Sequence, residues 1–450
     1  MSMPKQTRQP KKTPQILGGE LPPPEKILEI ARGVGFVKRL RKLDPTFLLY
    51  TLIFGLSAHA NPMVSEIHRK YKIMDDRLKE ADKIRQQSLS KRIDDTMVEF
   101  LCQVFMECIA LSSSTSSAEL RDHFQEFRTI FVLDSTIIRL HAKLAELFPA
   151  TRSRIVAGGM KISLLFNAVT HGPEMIFIVS KRVHDIKALK IGPWIKGALI
   201  LMDLGYYSHW NLNKIVENGG SFVVRVKKTA KPMVMSVIHS SCADIPLVSG
   251  STNLWDYLDS IPHTGIVDVM AQIGFTRHKY RKSLRRDKKM MRVVCFWNAE
   301  KSIWHTYMTN LSVESFSAEE IYLLYKFRWE IEMIFKELKS DFELGKLRSS
   351  RDTVVKVNVY TALIRMTISR QLYKKMVLSE EIESEREKFS PKMWSTVLVE
   401  NLAIFFNLIH DEIFCSYDLR ERIEILFRTL RSQSKRIVPT ATTRSKILNI

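Results

Sequence analysis

Near Phe131 the hydrophobic period of the chain changes, and this change limits its possible folds more than any other feature. Upstream, apolar residues recur at helical spacing: Ile27, Ile30 and Ala31, then Phe47 to Leu56, Met63 to Tyr71 and Met97 to Leu111, with polar spacers between them. From there on, short runs rich in β-branched and aromatic residues follow one another: Thr129 to Ile138, Met160 to Thr170, Met175 to Val183, Ala198 to Asp203 and Ser221 to Val226. Runs of this length and composition read as strands. Two segments between them, Ile186 to Lys196 and His209 to Glu217, have helical spacing, and the second ends at Asn218-Gly219-Gly220, a helix stop signal. Three strands, helix, strand, helix, strand is the order of an α/β layer with a mixed sheet and flanking helices.

From about Lys227 to Lys289 the pattern is interrupted by Pro232, Pro246, Ser/Gly-rich turns and weaker strand signals such as Gly265 to Ile273. This reads as an inserted β-rich domain. The main pattern resumes with a strand pair, Met291 to Phe296 and Trp304 to Thr309, and a long helix from Ser317 to Ser340. Ser317 with Glu320 three residues on forms a capping box and fixes where that helix starts. Apolar helical faces return at Val354 to Met376 and Met393 to Phe414, before a basic segment through Arg436. The expected domains are a disordered basic tail (1–25), an N-terminal helical DNA-binding domain (26–127), a first core part (128–228), the insertion (229–290), a second core part with the long helix (291–345) and a C-terminal helical region (346–450).

Lys and Arg total 69 against 48 Asp and Glu, a net charge of +21, so a polyanion, and nucleic acid first, is the expected partner. The densest cluster runs from Arg277 to Arg292, includes Arg281, Lys282, Arg285 and Arg286, and has only Asp287 opposing it, enough to track a phosphate backbone. A membrane span is not expected. The longest apolar stretch, Phe47 to Ala60, falls short of the roughly 20 residues a span needs and contains Ser57 and His59. The basic N-terminus has no apolar run behind it, so no export signal is expected, and a reducing cytoplasm fits. Five scattered cysteines without Cys-x-x-Cys spacing support neither a disulfide framework nor a zinc finger.

The chemistry concentrates in the long helix. In YKFRWEIEMIFKELK, Tyr325, Arg328, Glu332 and Lys339 stand at offsets of 0, 3, 7 and 14. At 100° per residue they fall within an arc of about 60°, one stripe beside the apolar stripe of Leu324, Ile331, Phe335 and Leu338. A carboxylate flanked by cations suits a site for metal and phosphate together. An i, i+4 pair of Glu332 with Lys336 on a solvated face is the plainer alternative. Two further carboxylates end apolar runs: Asp134 after Ile130 to Leu133, and Asp203 after Leu199 to Met202. Either alone fits a strand-end turn. Three hard carboxylates are what metal-assisted phosphoryl chemistry needs, and no His or Cys cluster competes with them. His184 with Asp185 reads as a turn or a structural hydrogen bond.

With these residues in place, the chain resembles the DDE transposases of the bacterial and archaeal insertion sequence four family, marked by Tyr, two residues, Arg, three residues, Glu, six residues, Lys. Tyr325, Arg328, Glu332 and Lys339 match that spacing, with Asp134-Ser135-Thr136, Val183-His184-Asp185, Asp203-Leu204-Gly205-Tyr206 and Thr309-Asn310-Leu311 in support. The match is specific from about Arg128 to Lys339. The resemblance implies an RNase H-like catalytic core in which Asp134, Asp203 and Glu332 bind two Mg²⁺ or Mn²⁺ ions, interrupted by a β-rich insertion between the second Asp and the Glu. It also implies that Tyr325, Arg328 and Lys339 contact phosphates near the element's end. Trp304, 21 residues before Tyr325, takes the place of a residue that stacks on a flipped base in some relatives; a core indole is the plainer role.

The expectation is a prokaryotic, nucleoid-associated enzyme that cleaves double-stranded DNA at terminal inverted repeats and joins the element to target DNA, as a homodimer on paired ends. A different RNase H-like nuclease and a transposase-derived DNA-binding protein without catalysis are the alternatives. Intact Asp134, Asp203 and Glu332 argue against the second.

Overall fold

The computed structural model describes residues 14, 19–40, 42–56, 64–79, 83–113, 126–150, 158–168, 172–183, 191–241, 252–276, 286–326, 328–342, 344, 347–378, 390–415 and 419–434. Of the expected disordered basic tail, residues 14 and 19–25 are described, and there Glu20 and Leu21 are buried and the first helix already begins at Pro24. His184, Asp185 and residues 186–190 of the segment expected to form a helix up to Lys196 lie outside the described residues. What is described there is a short 3-10 turn, Pro193–Ile195.

The chain opens with helices α1 (Pro24–Gly33), α2 (Pro45–Tyr50), α3 (Val64–Met74), α4 (Gln86–Arg92) and α5 (Asp95–Ser113). Asp44 caps α2 by accepting from the Thr46 and Phe47 amides. The helix then loosens into a π-helical turn, Thr51–Gly55. Gly55 is needed there, because a Cβ would stand 2.7 Å from the ring of Phe406.

A ten-stranded sheet follows. It comprises β1 (Thr129–Leu140), β2 (Gly158–Asn167), β3 (Gly172–Ser180), β4 (Ala198–Met202), β5 (Ser221–Arg225), β6 (Met233–Ser240), β7 (Thr252–Asn253), β8 (Ile266–Thr276), β9 (Arg286–Asn298) and β10 (Ile303–Thr309), in the order β3-β2-β1-β4-β5-β10-β9-β8-β6-β7. The mixed α/β class read from the sequence is observed. Helix α6 (His209–Glu217) has the expected bounds, and Gly219 at φ +72 lets the amides of Gly219 and Gly220 close back on Val216 and Ile215. The strands of the expected insertion do not stand apart: β6, β8 and β9 are hydrogen-bonded into the same sheet, and the boundary expected at residue 290 falls within β9. Short helix α7 (Leu254–Asp259) covers this end.

The sheet is buried on both faces, so its central strands read as continuous apolar runs. Ile130, Val132, Leu199, Leu201, Val223 and Val294 belong to one core, whereas Phe131, Leu133, Ile200, Met202, Phe222 and Val224 belong to the other with Leu212 and Ile215 of α6. Each such side chain removed from water contributes about 1.5–3 kcal/mol. Two polar devices fix the register. Asn310 accepts from the Phe222 amide and donates to the Gly220 carbonyl, locking β10 to β5. Buried Arg292 pairs with Asp268 at 2.7 Å and donates to the carbonyls of Ser312 and Phe316, tying the sheet to the turn before the next helix.

That next helix is α8 (Ala318–Lys326), and α9 (Arg328–Ser340) follows directly, with residue 327 outside the described set. The capping box forms as expected: the Ser317 amide donates to Glu320 at 2.7 Å and the Glu320 amide to Ser317 Oγ at 3.1 Å. The chain ends in α10 (Asp352–Leu378), α11 (Pro391–Glu400), α12 (Leu402–Phe414) and α13 (Arg420–Ser434). These helices share the first core with the N-terminal ones. Arg365 of α10 donates to the carbonyls of Leu52, Ile53 and Leu56 around the π-helical turn, satisfying acceptors that this turn leaves open. Arg351 donates to the Ile93 carbonyl. The two helical regions expected at opposite ends of the sequence therefore pack together. Among the described residues no helix is long and apolar enough to cross a membrane.

Candidate active site

Strands β1 and β4 run parallel as neighbours, with Leu133 paired to Met202. The next residues are Asp134 and Asp203. Side chains alternate along a strand, and since Val132 and Leu201 face the first core, Asp134 and Asp203 issue on that same face, from adjacent strands about 5 Å apart. The row continues across the sheet. Met202 pairs with Val224, which aligns Asp203 with Arg225, and Arg225 pairs with Tyr307 of β10.

Helix α9 packs over this face through Ile331, Ile334, Phe335 and Leu338. The same rotation brings Arg328 and Glu332 to the carboxylates. Arg328 Nη2 donates to Glu332 Oε1 at 2.6 Å, and Nη1 lies 3.6 Å from Asp134 Oδ2, so one guanidinium bridges the two acids. Its plane lies over the Tyr325 ring, 5.4 Å from the centroid, and Tyr325 in turn packs on Tyr307 at 4.3 Å.

Burial pushes the Asp134 carboxyl up to about 6; the Ser135 amide and Arg328 oppose this, while Asp203 and Glu332 push the same way. Burial also draws on Arg328, but Tyr325, Glu332 and Asp203 outweigh it and hold the guanidinium more firmly protonated. Burial pushes the phenol of Tyr307 up to about 12 and that of Tyr325 upward as well, so both remain neutral donors at physiological pH. The Tyr325 hydroxyl is buried and has no hydrogen-bond partner among the described residues.

Three carboxylates, with Asp203 and Glu332 both acting on the desolvated Asp134, fit a divalent cation in donor chemistry, since their oxygens are hard ligands. As the side chains stand, no group of three His, Cys, Asp or Glu among the described residues is gathered tightly enough to hold an ion, and the Arg328 guanidinium lies against two of the three acids.

Asp134, Glu332, Arg328 and Tyr325 are thus brought together with Asp203. Lys339 is exposed two turns further along α9, roughly 10 Å from Glu332. Trp304 is not part of this face. Its indole packs with the second core, edge-on to Trp297 at 5.5 Å and to His263 at 6.4 Å, on the opposite side of the sheet. Period 2 explains this, since Trp304 and Tyr307 differ by an odd number of residues. Arg281, Lys282 and Arg285 lie outside the described residues; Arg286 opens β9 opposite Thr276. Sequence reading missed Arg225 and Tyr307. Strand alternation marks a face for each, but only the pairing of β5 with β4 and β10 shows that it is the carboxylate face.

The family model for the transposase DDE domain matches residues 125–368, which spans β1 through most of α10 and contains every group of this site. Among curated relatives, the transposase for insertion sequence element IS231C of Bacillus thuringiensis subsp. berliner is 26% identical over 389 residues, covering 78% of each chain. The transposase for insertion sequence element IS1151 of Clostridium perfringens is 22% identical over 387 residues, covering 80% of each. A solved piggyBac transposase synaptic complex with hairpin DNA covers 98% of this chain and 88% of its own, with 12% identity and a TM-score of 0.39, a likeness too loose to carry an argument. With the family match extending over more than half of its length, the chain belongs to the DDE transposases and is a DNA endonuclease and strand transferase.

Proposed function

We propose that the protein excises and inserts a DNA element with two inverted ends, with Asp134, Asp203 and Glu332 as the residues that hold two Mg²⁺ or Mn²⁺ ions. The reading is carried by the alignment of Asp134 with Asp203 on the sheet face where α9 presents Glu332. When bound, such ions activate the attacking oxygen and stabilise the leaving oxygen of an in-line displacement.

The chain's own groups bind and orient the phosphodiester. Arg328 and Arg225 offer planar forks of donors that match phosphate oxygens, and the unpartnered Tyr325 hydroxyl is a third donor in the same cleft. Lys339, further along α9, meets a neighbouring phosphate. In the first step a water oxygen adds to phosphorus, the bond to the element's 3′ oxygen breaks, and that oxygen takes a proton in exchange for the one water loses. In the second step the freed 3′ hydroxyl adds to a phosphorus of the opposite strand or of target DNA and displaces another 3′ oxygen. One ester forms as one breaks, so no energy source is needed.

Strand order β3-β2-β1-β4-β5, antiparallel through the first three and parallel onward to β5, supports an RNase H-like core, with the segment expected over residues 229–290 as a β-rich insertion between Asp203 and Glu332 that extends the same sheet. The basic cluster with Arg281, Lys282, Arg285 and Arg286 is proposed to track the double-stranded DNA backbone. Two ends must be cut together, so the acting unit is proposed to be a homodimer, working on the prokaryotic nucleoid. The test is to map the cut ends made by the wild type and by Asp203→Asn on DNA carrying the element's termini with Mg²⁺. A free 3′ hydroxyl at the element boundary, absent with Asp203→Asn, is expected; equal cutting by both removes Asp203 from the reaction.

A further inference from the structure

Arg328 stands in an unusual relation to the acids it neutralises. It is not a distant phosphate ligand that merely faces the site. Its Nη2 takes Glu332 Oε1 at 2.6 Å and its Nη1 reaches Asp134 Oδ2 at 3.6 Å, so it engages two of the three carboxylates proposed to hold cations. A guanidinium and a divalent ion cannot share those oxygens at close range, since each would repel the other. Two buried donors at this place are left unsatisfied among the described residues. The Nε of Arg328 has no hydrogen-bond partner there, and neither has the hydroxyl of the tyrosine whose ring the guanidinium covers. Both are donors, and an incoming oxyanion would satisfy both.

We infer that Arg328 is an internal counter-ion, exchanged for divalent cation at Asp134 and Glu332 when a DNA phosphate draws its guanidinium away, so that cation and DNA each strengthen the binding of the other through this one side chain. The inference rests on the proposed assignment of the carboxylates and adds a coupling to it. In the absence of DNA, the cation must displace a charge-assisted hydrogen bond at Glu332 and leave a cationic side chain without its anion. With a phosphate present, the guanidinium forms a fork with the phosphate oxygens, Tyr325 gains an acceptor, and the carboxylate oxygens are released. By linkage, the factor by which DNA tightens cation binding equals the factor by which cation tightens DNA binding. An enzyme built this way assembles its cutting centre on DNA and holds it neutralised otherwise.

The experiment is calorimetric titration of Mn²⁺ into the full chain, with and without a short DNA duplex, for the wild type, Arg328→Gln and Asp134→Asn, with thermal melts to confirm folding. For the wild type, DNA should tighten Mn²⁺ on the order of tenfold, within the usual range of such couplings. Arg328→Gln should bind Mn²⁺ more tightly than the wild type without DNA, and DNA should then change its affinity by less than about twofold. If the Gln variant melts early, Arg328→Lys reads the same quantity, because an ammonium cannot fork onto phosphate and its coupling should fall below that of the wild type. Mn²⁺ binding that Asp134→Asn abolishes, combined with undiminished coupling in the Arg328 variants, overturns the exchange while leaving the metal assignment in place. Mn²⁺ binding indifferent to Asp134→Asn overturns both.

Discussion

Asp134 and Asp203 each follow one member of a parallel register pair, Leu133 and Met202, so that two carboxylates issue side by side from one face of the sheet. This arrangement crowds like charge on the sheet face that α9 packs over. The site depends less on any single residue than on a strand register that leaves both acids on the same side, and on a helix rotation that adds Glu332 to them.

The crowding has a cost that varies with pH. Asp134 is pushed up to about 6, first by burial, whereas in the unfolded chain it titrates near the ordinary carboxylate value of about 4. The folded state therefore holds the proton more tightly, and stability falls as pH rises through the window between those values. At neutral pH the ionised carboxylate costs about 2–3 kcal/mol. In chelator, Asp134→Asn should melt at a higher temperature than the wild type at neutral pH, with the gap closing below about pH 4. A gap that does not depend on pH contradicts this account.

Helix α9 is held from its other side by a buried carboxylate. Glu337 is paired with Arg370 of α10 and accepts from Ser395 of α11. Arg370→Ala leaves Glu337 buried without its charge partner and should cost about 3–5 kcal/mol in denaturant unfolding. Replacing both, Glu337→Met with Arg370→Leu, should recover most of that loss, since a well-packed apolar pair avoids burying charge. If the double variant is no more stable than Arg370→Ala, the buried charge is not the cause.

Arg225 extends the carboxylate row by one strand on the same face of the sheet. A charge-assisted hydrogen bond to phosphate contributes about 1.5–3 kcal/mol, so Arg225→Gln should slow cleavage by roughly ten- to a hundredfold. It should also lower the slope of log affinity against log salt by about one. Unchanged cleavage and an unchanged salt slope would place Arg225 outside the DNA path.

How much of this was legible in the sequence follows from which interactions are local. Strands from Thr129 to Arg225 and helix α6 were readable because period 2, period 3.6 and the Asn218-Gly219-Gly220 stop are short-range signals. The capping box at Ser317 and Glu320 was readable for the same reason. Asp134 and Asp203 were legible as acids that close apolar runs and Glu332 as part of a helix stripe, but Asp134 lies in the middle of β1 and not at a strand end, because the strand continues through the polar Ser135-Thr136 in its pairing with β2. Arg225 and Tyr307 did not, because their place in the row is set by hydrogen bonding between strands far apart in sequence. Trp304 was placed by its distance from Tyr325 along the chain, a spacing that ignores which face of β10 a residue takes. The packing of N-terminal on C-terminal helices rests on contacts such as Arg365 with the Leu52 carbonyl, which no local pattern announces.

The central claim is that Glu332 completes a cutting centre with Asp134 and Asp203. The most direct measurement is Mg²⁺-dependent cleavage of DNA carrying the element's own ends by the wild type and by Glu332→Gln, with binding to the same DNA followed in parallel. The account predicts a loss of cleavage on the order of 10²–10³ or more, the scale for removing one preorganised electrostatic group, with DNA binding retained. Cleavage by Glu332→Gln at the wild-type rate would contradict it.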